Sequence, residues 1–180
     1  MWEQPFLFGD GWIEVKDGND TARSIFDRHY SRYFYKDGRQ PKLFVGPGEK
    51  MVMLTADARA LFVWRRFISA DGQKGVNCAV FRNEGPRKSS ELIREADSLA
   101  DQKWPGERHY TYVSAEKVKS SNPGFCFQKA GWRKCGVTKR RKLIILERLP
   151  NVQAANDNYP IDPGDYIVQL GQQTNRAAHT

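Results

Sequence analysis

Three cysteines in 180 residues, with no CxxC pair among them, leave neither a disulfide framework nor a zinc knuckle to hold a fold together. Histidine is as scarce. His29, His109 and His179 show no HxxxH or carboxylate spacing, so nothing predicts a bound metal. No apolar run approaches membrane-spanning length. The opening MWEQPFLFGDGW lacks the basic segment and long apolar stretch of a secretory signal. Missing too are the GxxxxGK[ST] phosphate loop and the GxGxxG dinucleotide fingerprint, which removes support for nucleotide hydrolysis. Together these absences lead to the expectation of a soluble protein of a reducing cytoplasm, with no membrane partner.

What the chain does have is positive charge. Its 29 Lys and Arg against 21 Asp and Glu give a net +8 and a pI near 9.5. Nucleic acid, phosphorylated cofactors and acidic partners are the companions such a balance favours. The length fits one domain, residues 1–150. From Pro150 the composition shifts to Asn, Gln, Asp, Pro and Ala, with only DYIVQL suited to a strand. Residues 151–180 are therefore expected to form a disordered or loosely docked tail.

Periodicity divides the domain into strand, helix, hairpin, strand, helix, strand, helix and hairpin. GWIEVKDG alternates as a strand, and Asn19, Asp20 or Thr21 can cap a helix carrying Ala22, Ile25, Phe26 and His29 on one stripe. KMVMLT and ALFVWRRF form a hairpin, and GVNCAVF is apolar enough to be covered on both faces. In SSELIREADSLADQKW, Leu92, Ile93, Ala96, Leu99, Ala100 and Trp104 share one helical face. HYTYV is a short strand. Asn122 as cap, Pro123 at the first helical position and Gly131 beyond the end predict a short helix, and WRKCGVT and KLIILERL close the domain as a hairpin. The expected class is α/β, a mixed central sheet flanked by helices.

The stretch VFRNEGPRKSSEL carries the most specific signal. A strand that enters a helix through a glycine turn aims unpaired amides and the positive end of a helix dipole at one spot, which attracts phosphate. Arg82, Arg87 and Lys88 add full charges there, and Ser89 and Ser90 offer hydroxyls to cap the helix or bond a phosphate oxygen. An ordinary solvated connection is the alternative.

This layout, over roughly 11–148, resembles the GNAT acyltransferase superfamily, in which a strand, the motif [Q/R]xxGx[G/A] and a helix bind the pyrophosphate of acyl-CoA. RNEGPR supplies Arg82 and Gly85 at the first and fourth positions, with Arg87 where the family has a small residue. NPGFCFQKAGW is similar to the family's segment before the closing hairpin, matching at Asn122, Gly131 and Trp132. Where the family often has a tyrosine as general acid, this chain has Phe127. HYS in DRHYSRYF resembles the phage Mom group, DNA-modifying proteins of GNAT-like fold that add a carbamoylmethyl group to adenine N6. The resemblance implies a transferase of phage type in the host cytoplasm. Its donor would be acetyl-CoA or another phosphate-bearing molecule, held by Arg82, Gly85, Arg87, Lys88, Ser89, Ser90 and Asn122.

The residues suggest how the rest of such a site would be made. His29, Tyr30 and Ser31 lie where a helix yields to a loop, with His29 suited to act as a base near neutrality and Tyr30 to stack or donate a proton. Tyr112, on the strand that in the family helps open the splay for the thioester, is the substitute for the acid missing at Phe127. Tyr33, Phe34 and Tyr35 interleave with Arg28, Arg32, Lys36 and Arg39, as a single-strand or flipped-base site would require. The run Lys139, Arg140, Arg141 and Lys142 at a hairpin tip suits a duplex backbone. Core packing for His29 and the tyrosines, and solvated faces for the charges, are the alternatives. Three functions remain open: base modification in DNA, conventional acyl-CoA N-acyl transfer to an amine, and DNA binding without catalysis.

Overall fold

A computed structural model describes residues 11–150 together with the backbone of Leu7–Phe8. The tail expected over 151–180 lies outside the described residues. Among those described, the strands form one eight-stranded sheet in the order β1-β2-β3-β4-β5-β6-β8-β7. The elements are β1 (Leu7–Phe8), β2 (Trp12–Val15), α1 (Asp20–Asp27), β3 (Glu49–Leu54), β4 (Ala60–Arg66), β5 (Val76–Asn83), α2 (Ser89–Lys103), β6 (His109–Val113), α3 (Phe125–Lys129), β7 (Arg133–Val137) and β8 (Ile144–Arg148). From β2 onward the order is that expected from periodicity. The two-residue β1 was not expected; it joins the edge through Leu7 opposite Ile13 and Phe8 opposite Trp12.

Alternating side chains send β3 and β4 into two separate cores. One core packs Ala22 and Ile25 of α1 against Val52, Leu54, Leu61, Val63 and Val80. The other gathers Trp12, Met51, Met53, Phe62, Trp64 and Cys78 under the apolar stripe of α2, with Phe127 and Trp132 beside them. Three indoles fasten α2 to this face. Trp12 donates to the Leu92 carbonyl at 3.0 Å, Trp64 to the Ala96 carbonyl at 3.0 Å, and Trp132 to the Asp97 carboxylate at 2.9 Å. Each buried ring thus has its one polar atom satisfied on the helix it packs against.

All strand pairs are antiparallel except β5 with β6, which run parallel and pair only at Val76–His109, Asn77–Tyr110 and Cys78–Thr111. The pairing stops there for a local reason. On its other side β5 pairs Val80 with Val63 and Cys78 with Trp64, so Ala79 is an extra residue, a bulge. A bulge bends its strand and increases the twist. Beyond Cys78, β5 follows β4 and parts from β6, leaving a splay in the sheet.

Two of the expected helix starts are corrected. Asn19 does cap α1, its side chain accepting from the Ala22 amide at 3.0 Å. Neither Ser89 nor Ser90 caps α2, whose N-cap is Lys88 with no side-chain bond. Asn122 does not cap α3 and Pro123 does not open it: the helix begins at Phe125, after Gly124 in the left-handed region at φ 83°. A Cβ on Gly124 would collide with Leu146, so close packing against β8 sets this start.

Candidate functional site

The splay is bordered by the ends of β5 and β6, by α3 and by the turn that leaves α1. His29, Tyr30 and Ser31 form that turn. Tyr30 reaches the divergence of the strands: its hydroxyl lies near the backbone of Ser114, just past β6, and near the thiols of Cys78 and Cys126. Burial pushes this phenol above its ordinary range, the Ser114 backbone opposes the shift, and the two thiols add to it. A phenol so placed stays protonated at neutral pH and suits donation of a proton.

His29 is buried and stacks on Tyr30 with ring centroids 4.4 Å apart. Its Nδ1 accepts the Ser31 amide at 3.2 Å and lies 2.7 Å from the Ser31 hydroxyl. Burial, then the charge of Arg82, lower its pKa to about 4, against an opposing bond with the Phe81 backbone. The expected base near neutrality is thus corrected: His29 is neutral at physiological pH and shapes the turn that carries Tyr30.

Tyr112 points elsewhere. Its hydroxyl donates to Asp71 at 2.6 Å and lies 3.2 Å from the Ser69 hydroxyl, both in the loop between β4 and β5. Burial and the neighbouring Asp71 hold this phenol far above its usual range. The phenol that reaches the splay is that of Tyr30, from a segment distant in sequence.

The turn from β5 to α2 is organised by Asn83. Its side-chain carbonyl accepts the Gly85 amide at 2.9 Å, and its amide donates to the Arg87 carbonyl at 2.7 Å and the Ser89 hydroxyl at 3.1 Å. Arg82 bonds Glu84 at 2.5 Å, Arg87 is paired with Glu95, and Lys88 lies 3.5 Å from Glu91. The nearby carboxylates Glu84, Glu95 and Glu91 thus lie against the three cations of the turn. Among the described residues the Ser89 and Ser90 amides have no protein acceptor. This donor set fits a phosphate at the start of α2. Asn122 is turned to α3 and β7, accepting from Gln128 and Lys134, each at 3.2 Å.

Glu84 also receives Arg28 from the end of α1. The bonds from Arg28 and then Arg82, working against burial, bring its pKa down to about 2. For Glu147, burial pushes the carboxyl up, but bonds from Arg108 and Arg133 more than reverse it, so the net shift is downward. A carboxylate with a depressed folded pKa stabilises fully above its unfolded value of about 4.3, and that contribution is lost as pH falls through the folded value. The urea midpoint should therefore fall between about pH 5 and about pH 2, and a flat profile there would show these pairs to be energetically idle.

Beyond the splay, residues 32–44 enclose a cleft of about 220 Å³. Tyr33 and Phe34 are 68% and 71% exposed, Arg32 lies over the Phe34 ring and Arg39 over the Tyr35 ring, each at 4.2 Å. Arg32 is also paired with Asp27 at 2.5 Å. This is the interleaving of aromatics and cations expected from sequence. At the β7–β8 tip, Lys139, Arg140, Arg141 and Lys142 are exposed and make no ion pair among the described residues. If they bind a duplex backbone, changing Lys139, Arg140 and Arg141 to Gln should flatten the salt dependence of binding by about 0.9 log units for each phosphate no longer neutralised. Anisotropy over a salt series measures this, and an unchanged slope would assign the tip to solvent.

Sequence reasoning missed the buried Asp97–His109 pair, 2.8 Å apart, and the Arg28–Glu84 pair. Nothing in local spacing signals pairings across 12 and 56 residues. No group of three or more His, Cys, Asp or Glu among the described residues is arranged to hold a metal, and no described helix is long and apolar enough to cross a membrane. Comparison with protein-family models, curated proteins and solved structures gives no match.

Proposed function

We propose that this chain is a GNAT-like transferase of the Mom type, modifying a nucleobase in DNA at the adenine N6 amine. The observation that carries the reading is the splay: a parallel pair that ends at Cys78–Thr111, a bulge at Ala79 that opens it, and the Tyr30 hydroxyl at its mouth. In the family that this layout resembles, such a gap admits the acyl donor. Acetyl-CoA or another phosphate-bearing donor would lie with its phosphate at the start of α2 and its reactive end towards Tyr30. The bond between the donor's transferable carbon and its leaving group breaks as the exocyclic amine bonds to that carbon. Tyr30 gives its proton to the departing group and is reprotonated from solvent, to which the amine releases its own proton. Tyr33, Phe34 and Tyr35 offer faces on which an extruded base stacks, and the basic tip tracks the backbone.

Conventional acyl transfer to a small or protein amine is less favoured. The segment 28–39 is chiefly aromatic and basic, whereas a cationic acceptor calls for carboxylates. DNA binding without catalysis is the second reading, and the ion-paired Arg82 and Arg87 with the Asn83-filled turn favour it. Mass spectrometry of nucleosides from DNA of cells expressing the chain separates them. A new deoxyadenosine mass absent from vector controls is expected. Unmodified nucleosides beside folded protein would overturn base modification, and DNA binding in that case would select the second reading.

A further inference from the structure

Glu84 is the one acidic residue of the turn between β5 and α2, and two guanidinium groups converge on it. Arg28, at the end of α1, presents its Nε and one terminal nitrogen to the two carboxylate oxygens at 2.9 and 2.7 Å, a bidentate pair. Arg82 adds its Nε at 2.5 Å. Arg28 does not depend on Glu84 for its orientation. Its other terminal nitrogen is held by the Ser24 carbonyl at 2.9 Å and the Ser24 hydroxyl at 3.0 Å, which leaves the opposite edge of the fork aimed at the turn.

Apart from the two arginines, Glu84 is held through its main chain, where its amide donates to the Arg59 carbonyl at 2.8 Å. Withdrawing the carboxylate therefore needs side-chain rotation and no movement of the backbone. The cluster is open to solvent, with side-chain exposures of 47% for Arg28, 33% for Arg82 and 29% for Glu84. Two guanidiniums around one carboxylate leave the cluster with a net charge of +1. The nearest other charge on Arg28 is Asp27, which is itself shared by Arg23 and Arg32. His29, beside Arg82, is neutral.

From this geometry we infer that Arg28 and Arg82 form the binding site for a phosphate or pyrophosphate group, and that Glu84 is a built-in placeholder which the incoming anion displaces. The carboxylate keeps the two arginines paired and oriented while no ligand is bound. A pyrophosphate, with more charge and more acceptor oxygens, outcompetes it where a single weak anion does not. This rests on the phosphate-bearing donor of the proposed function, and it adds Arg28, which lies outside the strand-turn-helix motif.

The test is calorimetric titration of the whole chain with inorganic pyrophosphate. Removing the competing charge in Glu84→Gln should tighten binding about tenfold, and adding Arg28→Met to that variant should abolish the gain. A folded Glu84→Gln protein that binds no tighter, or a gain that survives Arg28→Met, overturns the inference. If Glu84→Gln melts too early to titrate, Arg28→Met alone in the chain with native Glu84 decides. Weaker pyrophosphate binding supports the site, and unchanged binding overturns it. Base modification in cells without any gain in Glu84→Gln would sink the placeholder alone. The gain without base modification would sink the transferase and leave the anion site standing.

Discussion

Asp97→Ala is expected to destabilise the domain by about 2–6 kcal/mol, because it leaves two buried donors unpaired at about 1–3 kcal/mol each. Asp97 is 3% exposed, and both its oxygens are in use. Oδ1 lies 2.8 Å from His109 Nδ1, and because an ionised carboxylate only accepts, that nitrogen carries the proton. Oδ2 accepts the Trp132 indole at 2.9 Å. Alanine would leave two donors buried without partners, His109 itself being fully buried between Trp64 and Trp132. Because Asp97 sits on α2, His109 on β6 and Trp132 just ahead of β7, one side chain joins three elements. The melting temperature should drop by roughly 10 °C or more. A loss under about 1 kcal/mol would mean that another acceptor satisfies these donors, with the Asp101 carboxylate closest at hand.

Tyr30→Phe should do the reverse, sparing the fold and removing the reaction. Only a hydroxyl is lost, and a single hydrogen bond at that position would be worth about 1 kcal/mol net. A proton donor positioned in the transition state contributes about 10²- to 10⁴-fold in rate. If the proposed chemistry holds, the base modification should fall by that factor in a protein whose urea midpoint barely moves. The pH profile gives a second check. With His29 near 4 and Tyr30 above its ordinary range, neither titrates around neutrality, so neither produces a rate inflection between about pH 6 and about pH 9. Unchanged modification by the Phe variant would remove Tyr30 from the chemistry, and a large loss of stability would make it a structural residue.

The sequence was most informative where structure is set by near neighbours. The stripe Leu92, Ile93, Ala96, Leu99 and Ala100 is buried as its spacing required, and Asn19 caps α1, because helix burial and capping follow from residues three and four apart. The strands HYTYV and KMVMLT were legible for the same reason, through composition and alternation. The start of α3 was not. Pro123 satisfies the local rule for a first helical residue, but the close approach of Gly124 to Leu146 overrides it.

The candidate site divides along the same line. Types and rough places were readable: a glycine turn with cations, an aromatic and basic stretch, a histidine next to a tyrosine. Their states were not. Local sequence does not show that Glu84 and Glu95 stand beside Arg82 and Arg87, and His29 looks like a neutral-pH base until burial and Arg82 lower it. The sequence alone determined the order of elements, the basic character and the motif-bearing turn, because these depend on local pattern and composition. Only the tertiary structure decided which phenol reaches the splay, which arginines are engaged and that His29 stays neutral, because charge and proton affinity depend on distance and burial between segments far apart in the chain.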